Sequence, residues 1–460
     1  MSSSNSVIWN RRLIERYDLS GPRYTSYPTA PHFHEQFSVA DMHSAIDRSN
    51  AAGRPLSLYF HIPFCITVCY YCACNKIITA NRSRAMPYLE RLIEEIAMQG
   101  KLFDRSRPVH QLHWGGGTPT YISNDEKRLL MAATREHFNI LDDDSGEYSV
   151  EIHPGETEVS AISCLRELGF NRLSMGVQDF DPVVQKAVNR FNSVKEVREL
   201  VDAAKKEGFQ SINMDLIYGL PHQSWSTFSY TLDSIIDLNP ERLSVFNYAH
   251  MPHLFKVQKQ LDESTLPSPE EKLLIMERMT EKLLDAGYVY IGMDHFAKPT
   301  DGLVQARQSG TLHRNFQGYT THGHCDLIAL GVSAISKVGR TFAQNAKTLE
   351  TYYAAIDAGE FATERGYVVS DEDLIAGDAI QELMCSFHID IPAFNARHNI
   401  DFWRYFDDRR GPLEEMVANG LVELSESSLR VTETGRFLVR NICMVFDEHL
   451  SAATGFSKTI

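Results

Sequence analysis

Four of the eight cysteines stand close together in Cys65-Ile66-Thr67-Val68-Cys69-Tyr70-Tyr71-Cys72-Ala73-Cys74. The other four, Cys164, Cys325, Cys385 and Cys443, are scattered singly. In a chain of 460 residues such a cluster reads as a metal or cluster site rather than a disulfide framework. Cys65, Cys69 and Cys72 have the spacing C-x3-C-x2-C. Three thiolates can hold three irons of a 4Fe–4S cube and leave the fourth iron open. An open metal position can take a small chelating ligand and do chemistry. The other reading of this stretch is a zinc knot in which Cys74 completes the tetrahedron.

A second stretch bears on that choice: His113-Trp114-Gly115-Gly116-Gly117-Thr118-Pro119-Thr120. Three glycines after an apolar run let the backbone approach a ligand and offer it N–H and C=O groups. The two stretches, in this order, resemble the radical S-adenosylmethionine (SAM) enzymes. The resemblance implies that the amino and carboxylate groups of SAM chelate the open iron and that the glycines hold its methionine part.

Secondary-structure elements must carry these residues to one place. Residues 56–60 predict a short apolar strand running into the cysteines, and 109–114 a second strand ending at the glycines. Further strands are expected over 148–152, 173–177, 212–216 and 243–247. Leu89, Leu92, Ile93, Ile96 and Ala97 fall on one face of an amphipathic helix. Helices are also expected over 124–138, 159–168, 181–207 and 224–237. Ser268-Pro269-Glu270-Glu271 predicts a capped helix start, and Gly287 its end. Alternating strands and helices imply parallel pairing with right-handed crossovers. Roughly six such units suit a partial or full β/α barrel, although a doubly wound sheet has the same pattern. Polar punctuation favours the barrel with one working rim. The cysteines follow the first strand and the glycines the second. Glu151, Gln178-Asp179, Asp215 and Asn247-Tyr248-Ala249-His250 lie on or at the ends of the next four. In a parallel barrel such ends converge on one face.

Hydrophobic content of 43% and charged content of 23% are ordinary globular values. The polar start, Met1-Ser2-Ser3-Ser4-Asn5, is followed by no apolar signal region, and no apolar run is long enough for a membrane span. A cytoplasmic location is expected and suits reduced thiols. A net charge of −15 argues against nucleic acid or an anionic membrane as the main partner.

Three domains are expected: an N-terminal extension over 1–50, a catalytic barrel over 51–345, and a mainly helical C-terminal domain over 346–460. The extension contains Gly21-Pro22-Arg23-Tyr24-Thr25-Ser26-Tyr27-Pro28-Thr29, which reads as an ordered strap. Residues 288–340 are less regular and mix His, Arg and aromatic residues, as a lid or a plain loop would. Helices over 371–387, 412–418 and 434–446, with short strands over 420–424 and 429–432, make a winged-helix-like pattern. In so acidic a chain, a helical cap is preferred to a DNA-binding module.

Along nearly its whole length the chain resembles the oxygen-independent coproporphyrinogen III oxidases. The resemblance rests on Arg23–Pro28, Tyr59, His61-Ile62-Pro63-Phe64-Cys65 and the other three clustered cysteines, and Gly115–Pro119. It continues through Leu173–Phe180, Asp215–Pro221, Ser244–His250, Gly292–Phe296 and His313–Thr320. It implies that Cys65, Cys69 and Cys72 ligate one 4Fe–4S cluster. A first SAM would lie among Tyr59, Gly116, Glu151, Ala249 and Ile335. A second would contact Tyr71, Gly117, Thr118, Gln178, Arg190 and Asp215. Cys74 resembles an extra family cysteine that is not a cluster ligand, and is a catalytic candidate. The implied reaction turns two propionates of coproporphyrinogen III into vinyls and gives protoporphyrinogen IX, the anaerobic step of haem biosynthesis. A 5′-deoxyadenosyl radical would take a hydrogen atom from each propionate β-carbon. A reductant such as a flavodoxin-like donor and a monomeric state are implied, with no nucleic acid and no membrane span. Arg23 and Arg314 are candidates for the substrate carboxylates. Ala73, Tyr71 and His153 depart from the usual glycine, phenylalanine and acidic residue. Two other readings are a haem-binding chaperone of the same superfamily, which lacks the strap and the Cys72-x-Cys74 pair, and a zinc-stabilised regulator.

Overall fold

A computed structural model describes residues 7–450, together with 456 and 458. The chain divides into two compact units, each assembled from segments far apart in sequence. The larger comprises Phe33–Ile275 and His324–Val368.

In the larger unit six strands pair in parallel and in chain order: β1 (Leu56–Ile62), β2 (Pro108–Gly116), β3 (Glu147–Ile152), β4 (Arg172–Gln178), β5 (Ser211–Tyr218) and β6 (Arg242–Asn247). A further parallel strand, β7 (Asp326–Leu330), covers the other edge of β1. Three antiparallel strands continue the sheet beyond it: β8 (Ile335–Val338), β9 (Thr341–Asn345) and β10 (Thr363–Val368). The connecting helices are α1 (Ala85–Gly100), α2 (Asn124–His137), α3 (Val159–Glu167), α4 (Pro182–Val188), α5 (Val194–Glu207) and α6 (Trp225–Leu238). This is the partial (β/α)6 barrel that the polar punctuation of the strand ends favours over a doubly wound sheet.

Period-two alternation divides the strands into two faces. Tyr148, Val150 and Ile152 of β3, Leu173, Met175 and Val177 of β4, and Ile212, Met214 and Leu216 of β5 are buried. The opposite face carries Ser149, Glu151, Ser174, Gln178, Asn213 and Asp215. Ladder register sets Glu151 beside Ser174, and Gly176 beside Asp215.

Two expectations need correction. The helix expected over 181–207 is two helices. Asp181 caps α4, whose C-cap Asn189 is left-handed at φ 52°, and Ser193 with Glu196 forms a capping box that starts α5. At Ser268-Pro269-Glu270-Glu271, Glu271 N–H donates to Ser268 Oγ at 3.2 Å, but the Glu271 carboxylate accepts from Trp225 N–H at 2.6 Å. One side of the capping box is therefore spent on tying down the start of α6.

The smaller unit comprises Met1–His32, Met276–Gly323 and Val369–Ile460. In it the helix Asp371–Ser386 precedes an antiparallel three-stranded sheet of His388–Asp390, Ser428–Val431 and Val422–Leu424. The last expected helix is a 3-10 turn, Gly435–Leu438, running into the helix Val439–Met444. The N-terminal strap is ordered: Tyr24 is buried and donates to Asp447 Oδ2 at 2.9 Å, and Arg440 bonds to the carbonyls of Gly21 and Pro22.

One buried carboxylate joins α1 to the β7 side of the larger unit. Glu95, 1% exposed, accepts from Gly331 N–H, Asn345 Nδ2 and Tyr352 Oη, each at 2.7 Å. Removing it strands three buried donors. Glu95→Ala is expected to lose about 3 kcal/mol and Tyr352→Phe about 1 kcal/mol, read from urea unfolding midpoints. Equal small losses would mean the donors find other partners.

Candidate active site

The cysteine loop leaves β1 without a long ladder of its own, so its backbone must be tied to neighbours. Ile77 N–H donates to Pro63 O at 2.7 Å and Thr79 N–H to Cys65 O at 2.9 Å. Tyr70 N–H donates to Val188 O at 3.0 Å, and Asn189 Nδ2 to Val68 O at 2.9 Å. Gln258, 1% exposed, donates to Tyr71 O at 3.1 Å and Ala249 O at 3.3 Å, while its Oε1 accepts from Met251 N–H at 2.6 Å.

Three thiols in that loop sense one another. Burial pushes the Cys65 thiol up to about 12, and the charges of Cys72 and Cys69 push the same way. Thr118 Oγ1 opposes them by donating to Cys65 Sγ at 3.6 Å. Arg190 Nη1 donates to Cys69 Sγ at 3.7 Å. Cys72 is pulled down to about 6, first by a hydrogen bond from Cys74 and then, against burial, by the Lys76 cation. Lys76 Nζ also donates to Cys72 O at 3.0 Å. Cys74 itself is exposed.

The glycine stretch closes over the start of this loop. Gly117 N–H donates to Ile62 O and Thr118 N–H to Phe64 O, each at 2.8 Å. A Cβ on Gly117 would lie 2.6 Å from Pro63 C, so the close approach requires glycine there. Gly116 has φ +113°, and a Cβ on it would lie 2.6 Å from the His61 ring. His61 Nε2–H donates to Asn75 O at 2.9 Å, which leaves Nδ1 to accept from Tyr59 Oη at 3.1 Å.

Glu151 ends β3 beside these glycines. Its carboxylate accepts from His113 Nε2–H at 3.0 Å and Gly116 N–H at 3.2 Å. His113 Nδ1 then accepts from Ser149 Oγ, and its ring stacks on Tyr59 with centroids 5.8 Å apart. Burial works to raise the Glu151 carboxyl, but the His113 hydrogen bond, with Gly116 N–H, holds it below the usual carboxylate range. Asp215 behaves oppositely. Burial and then the Glu151 charge push it up to about 6, against hydrogen bonds from Asn213, Ser244 and Ser174.

Arg190 reaches the site because α4 ends at Val188, two residues before it. Its Nη2 donates to Gly176 O. A Cβ on Gly176 would lie 2.8 Å from both Arg190 Nη2 and Gln178 Nε2, so the absent side chain makes room for both. Gln178 itself is left-handed, at φ 69°, where the β4–β5 register shifts. Burial and the Arg190 cation push His153 down to about 2, so it stands as a neutral imidazole.

The structure thus gathers Tyr59, Gly116 and Glu151 around His113: Glu151 accepts from His113 and Gly116, and Tyr59 stacks on the His113 ring. It joins Tyr71 to Ala249 through Gln258, Thr118 to Cys65, and Arg190 to Cys69 and Gly176. Asp215 neighbours Glu151 closely enough to feel its charge. Gly117 pairs with Ile62, and Ile335 opens β8, two strands from β1. Arg23 and Arg314 lie in the smaller unit. There Arg23 Nη1 pairs with Asp294 Oδ2 at 2.6 Å, and the Arg314 guanidinium covers the Tyr319 ring at 4.9 Å. Sequence reasoning missed Gln258, Asn189 and Lys76 as organisers of the loop. The polar side chains of Gln258 and Asn189, in stretches read only as loop or helix, were the available signal.

These residues fit a 4Fe–4S cluster with bound SAM. Three mutually close thiols have hydrogen-bond donors on their sulfurs. The glycine backbone lies where any side chain would intrude. Gln178 Oε1, Arg190 Nε and Asn247 Oδ1 are buried polar atoms without a partner among the described residues, as atoms awaiting a polar ligand would be.

The model described as the radical SAM superfamily matches residues 59–235, and that described as the HemN C-terminal domain matches residues 369–438. An oxygen-independent coproporphyrinogen III oxidase from Pseudomonas aeruginosa is 51% identical over 458 residues, covering 99% of this chain and 100% of its own. One from Escherichia coli is 46% identical over 448 residues, covering 97% of each. The solved structure of the Escherichia coli coproporphyrinogen III oxidase, described as a radical SAM enzyme, superposes with a TM-score of 0.92 at 45% identity. It covers 97% of this chain and 100% of its own. Among the described residues no helix is long and apolar enough to cross a membrane. On this similarity along the whole length, the chain belongs to the oxygen-independent coproporphyrinogen III oxidase family of radical SAM enzymes.

Proposed function

We propose that the chain converts coproporphyrinogen III to protoporphyrinogen IX by oxidative decarboxylation of two propionates to vinyls, the anaerobic step of haem biosynthesis. The observation that carries this reading is the trio of Cys65, Cys69 and Cys72 under the Gly115–Gly117 backbone, with Glu151 held as an anion beside it. When bound, the cluster and SAM supply one-electron chemistry and hydrogen-atom abstraction.

The chain's own residues bind, orient and exclude water. Cys65, Cys69 and Cys72 hold the cluster, while Arg190 and Thr118 donate to the sulfurs and so tune its potential. Tyr59, Gly116, Glu151, Ala249 and Ile335 would surround the first SAM. Tyr71, Gly117, Thr118, Gln178, Arg190 and Asp215 receive a second SAM, the Arg190 fork taking a carboxylate and Asp215 taking ribose hydroxyls or an ammonium. Cys74 acts on Cys72 by hydrogen bond and is not a ligand. Arg23 and Arg314 are assigned to substrate carboxylates. Residues 51–345 are assigned to the catalytic barrel, 1–50 to an extension and 346–460 to the C-terminal domain. The matched spans 59–235 and 369–438 fall inside the barrel and the C-terminal domain of this division, while residues 276–323 pack in the smaller unit and 33–50 and 346–368 in the larger. A cytoplasmic monomer served by a flavodoxin-like reductant completes the reading, with no nucleic-acid partner.

Anaerobic turnover with SAM, a reductant and coproporphyrinogen III should give protoporphyrinogen IX and two CO2 per substrate. SAM cleavage without CO2 release would sink the assignment. Cys69→Ser should lose both the iron and turnover, whereas Cys74→Ser should keep its iron; equal iron loss in the two would make Cys74 a ligand. Asp215, raised to about 6, must give up its proton to accept from SAM. Below pH 6 it is protonated, so SAM affinity should fall as pH drops through that value, in calorimetry on the reconstituted protein. Asp215→Asn should flatten that profile.

A further inference from the structure

A second group of metal-ligating side chains lies at the opposite end of the sheet from the cysteine loop. His110 is near the start of β2, and His324 and Cys325 immediately precede β7. β2 and β7 flank β1: Leu56 is level with Val109 on one side and with Asp326 on the other. The register therefore brings His110, His324 and Cys325 to one edge. Their ligand atoms lie within 4.8 Å of one another, and the two imidazole rings are 6.0 Å apart. His110 and Cys325 are half-buried and His324 is exposed, so an ion can enter from solvent.

Two imidazoles and one thiol are a borderline-soft donor set, which suits zinc better than a hard cation such as magnesium or calcium. Donors around tetrahedral zinc, at bonds of about 2.0–2.3 Å, sit roughly 3.5 Å apart. Side-chain rotations that close the set by about 1 Å would therefore seat the ion. β1 rises about 3.3 Å per residue, so the seven residues Leu56–Ile62 put roughly 20 Å between this edge and the start of the cysteine loop. The site is separate from the reaction centre. A buried ion pair, Arg107 to Asp326 at 3.0 Å, already links the same two segments.

We propose that His110, His324 and Cys325 form a structural zinc site, with a further position open to water or another side chain, that staples β2 to β7 across β1.

The test uses full-length protein carrying its cluster. After equilibrium dialysis against Zn2+, elemental analysis should find one zinc per chain beyond the iron. His110→Ala, Cys325→Ser and, at the exposed position, His324→Ala should each weaken zinc binding at least tenfold while leaving iron content and anaerobic turnover unchanged. Cys69→Ser should keep the zinc and lose the iron, which separates this site from the catalytic one. No stoichiometric zinc, or zinc bound equally by the three substituted proteins, would overturn the proposal.

Discussion

Three sulfur anions cannot be gathered on a loop unless something offsets their repulsion. Near Cys65 the charges of Cys69 and Cys72 both work against ionisation. The chain answers with donors rather than one counter-ion: Thr118 at Cys65, Arg190 at Cys69, and Cys74 with Lys76 at Cys72. Thr118 and Arg190 come from segments distant in sequence and must be brought to the loop by their own elements, whereas Cys74 and Lys76 are supplied by the loop itself. Hydrogen bonds from Arg190 and Thr118 are worth more in a buried site than in water, because the local dielectric is low.

That requirement explains the break between α4 and α5. A continuous helix from Pro182 to Glu207 would carry residue 190 along its axis. The left-handed Asn189 ends α4, gives its side chain to Val68 O and returns the chain so that Arg190 meets both Cys69 Sγ and Gly176 O. Gly176 then has to be glycine, because a side chain there would collide with the arginine it receives. One backbone turn thus pins the loop, aims the cation and constrains the neighbouring strand.

Much of this was legible in residue order. Strand positions and the polar punctuation at their ends follow from alternation, while the SAM-binding roles expected of Glu151 and the glycines come from the family resemblance. The α4–α5 break was not, because apolar periodicity continues through 181–207 while the deciding signals are single residues, Asp181 before Pro182 and Ser193 before Glu196. Gln258 was invisible for another reason. It lies in a short 3-10 helix, Lys256–Gln260, and only three-dimensional proximity shows that it joins Tyr71 to Ala249. Opposite behaviour in two carboxyls of one rim, Glu151 ionised and Asp215 protonated up to about pH 6, also needs their neighbours to be known.

The parallel arrangement also separates two tasks. At the C-terminal ends of the strands the polar atoms are left open: Gln178 Oε1, Arg190 Nε and Asn247 Oδ1 await partners. Such groups cost stability when empty, about 1–3 kcal/mol each by general experience. The cost must be offset elsewhere, and two buried carboxyl groups away from the rim are well partnered. Glu95 takes three donors, and Asp326 takes Arg107, Ser49 and Gly339 N–H. A rim that must stay unsatisfied until its ligands arrive therefore depends on a scaffold whose own buried charges are already met.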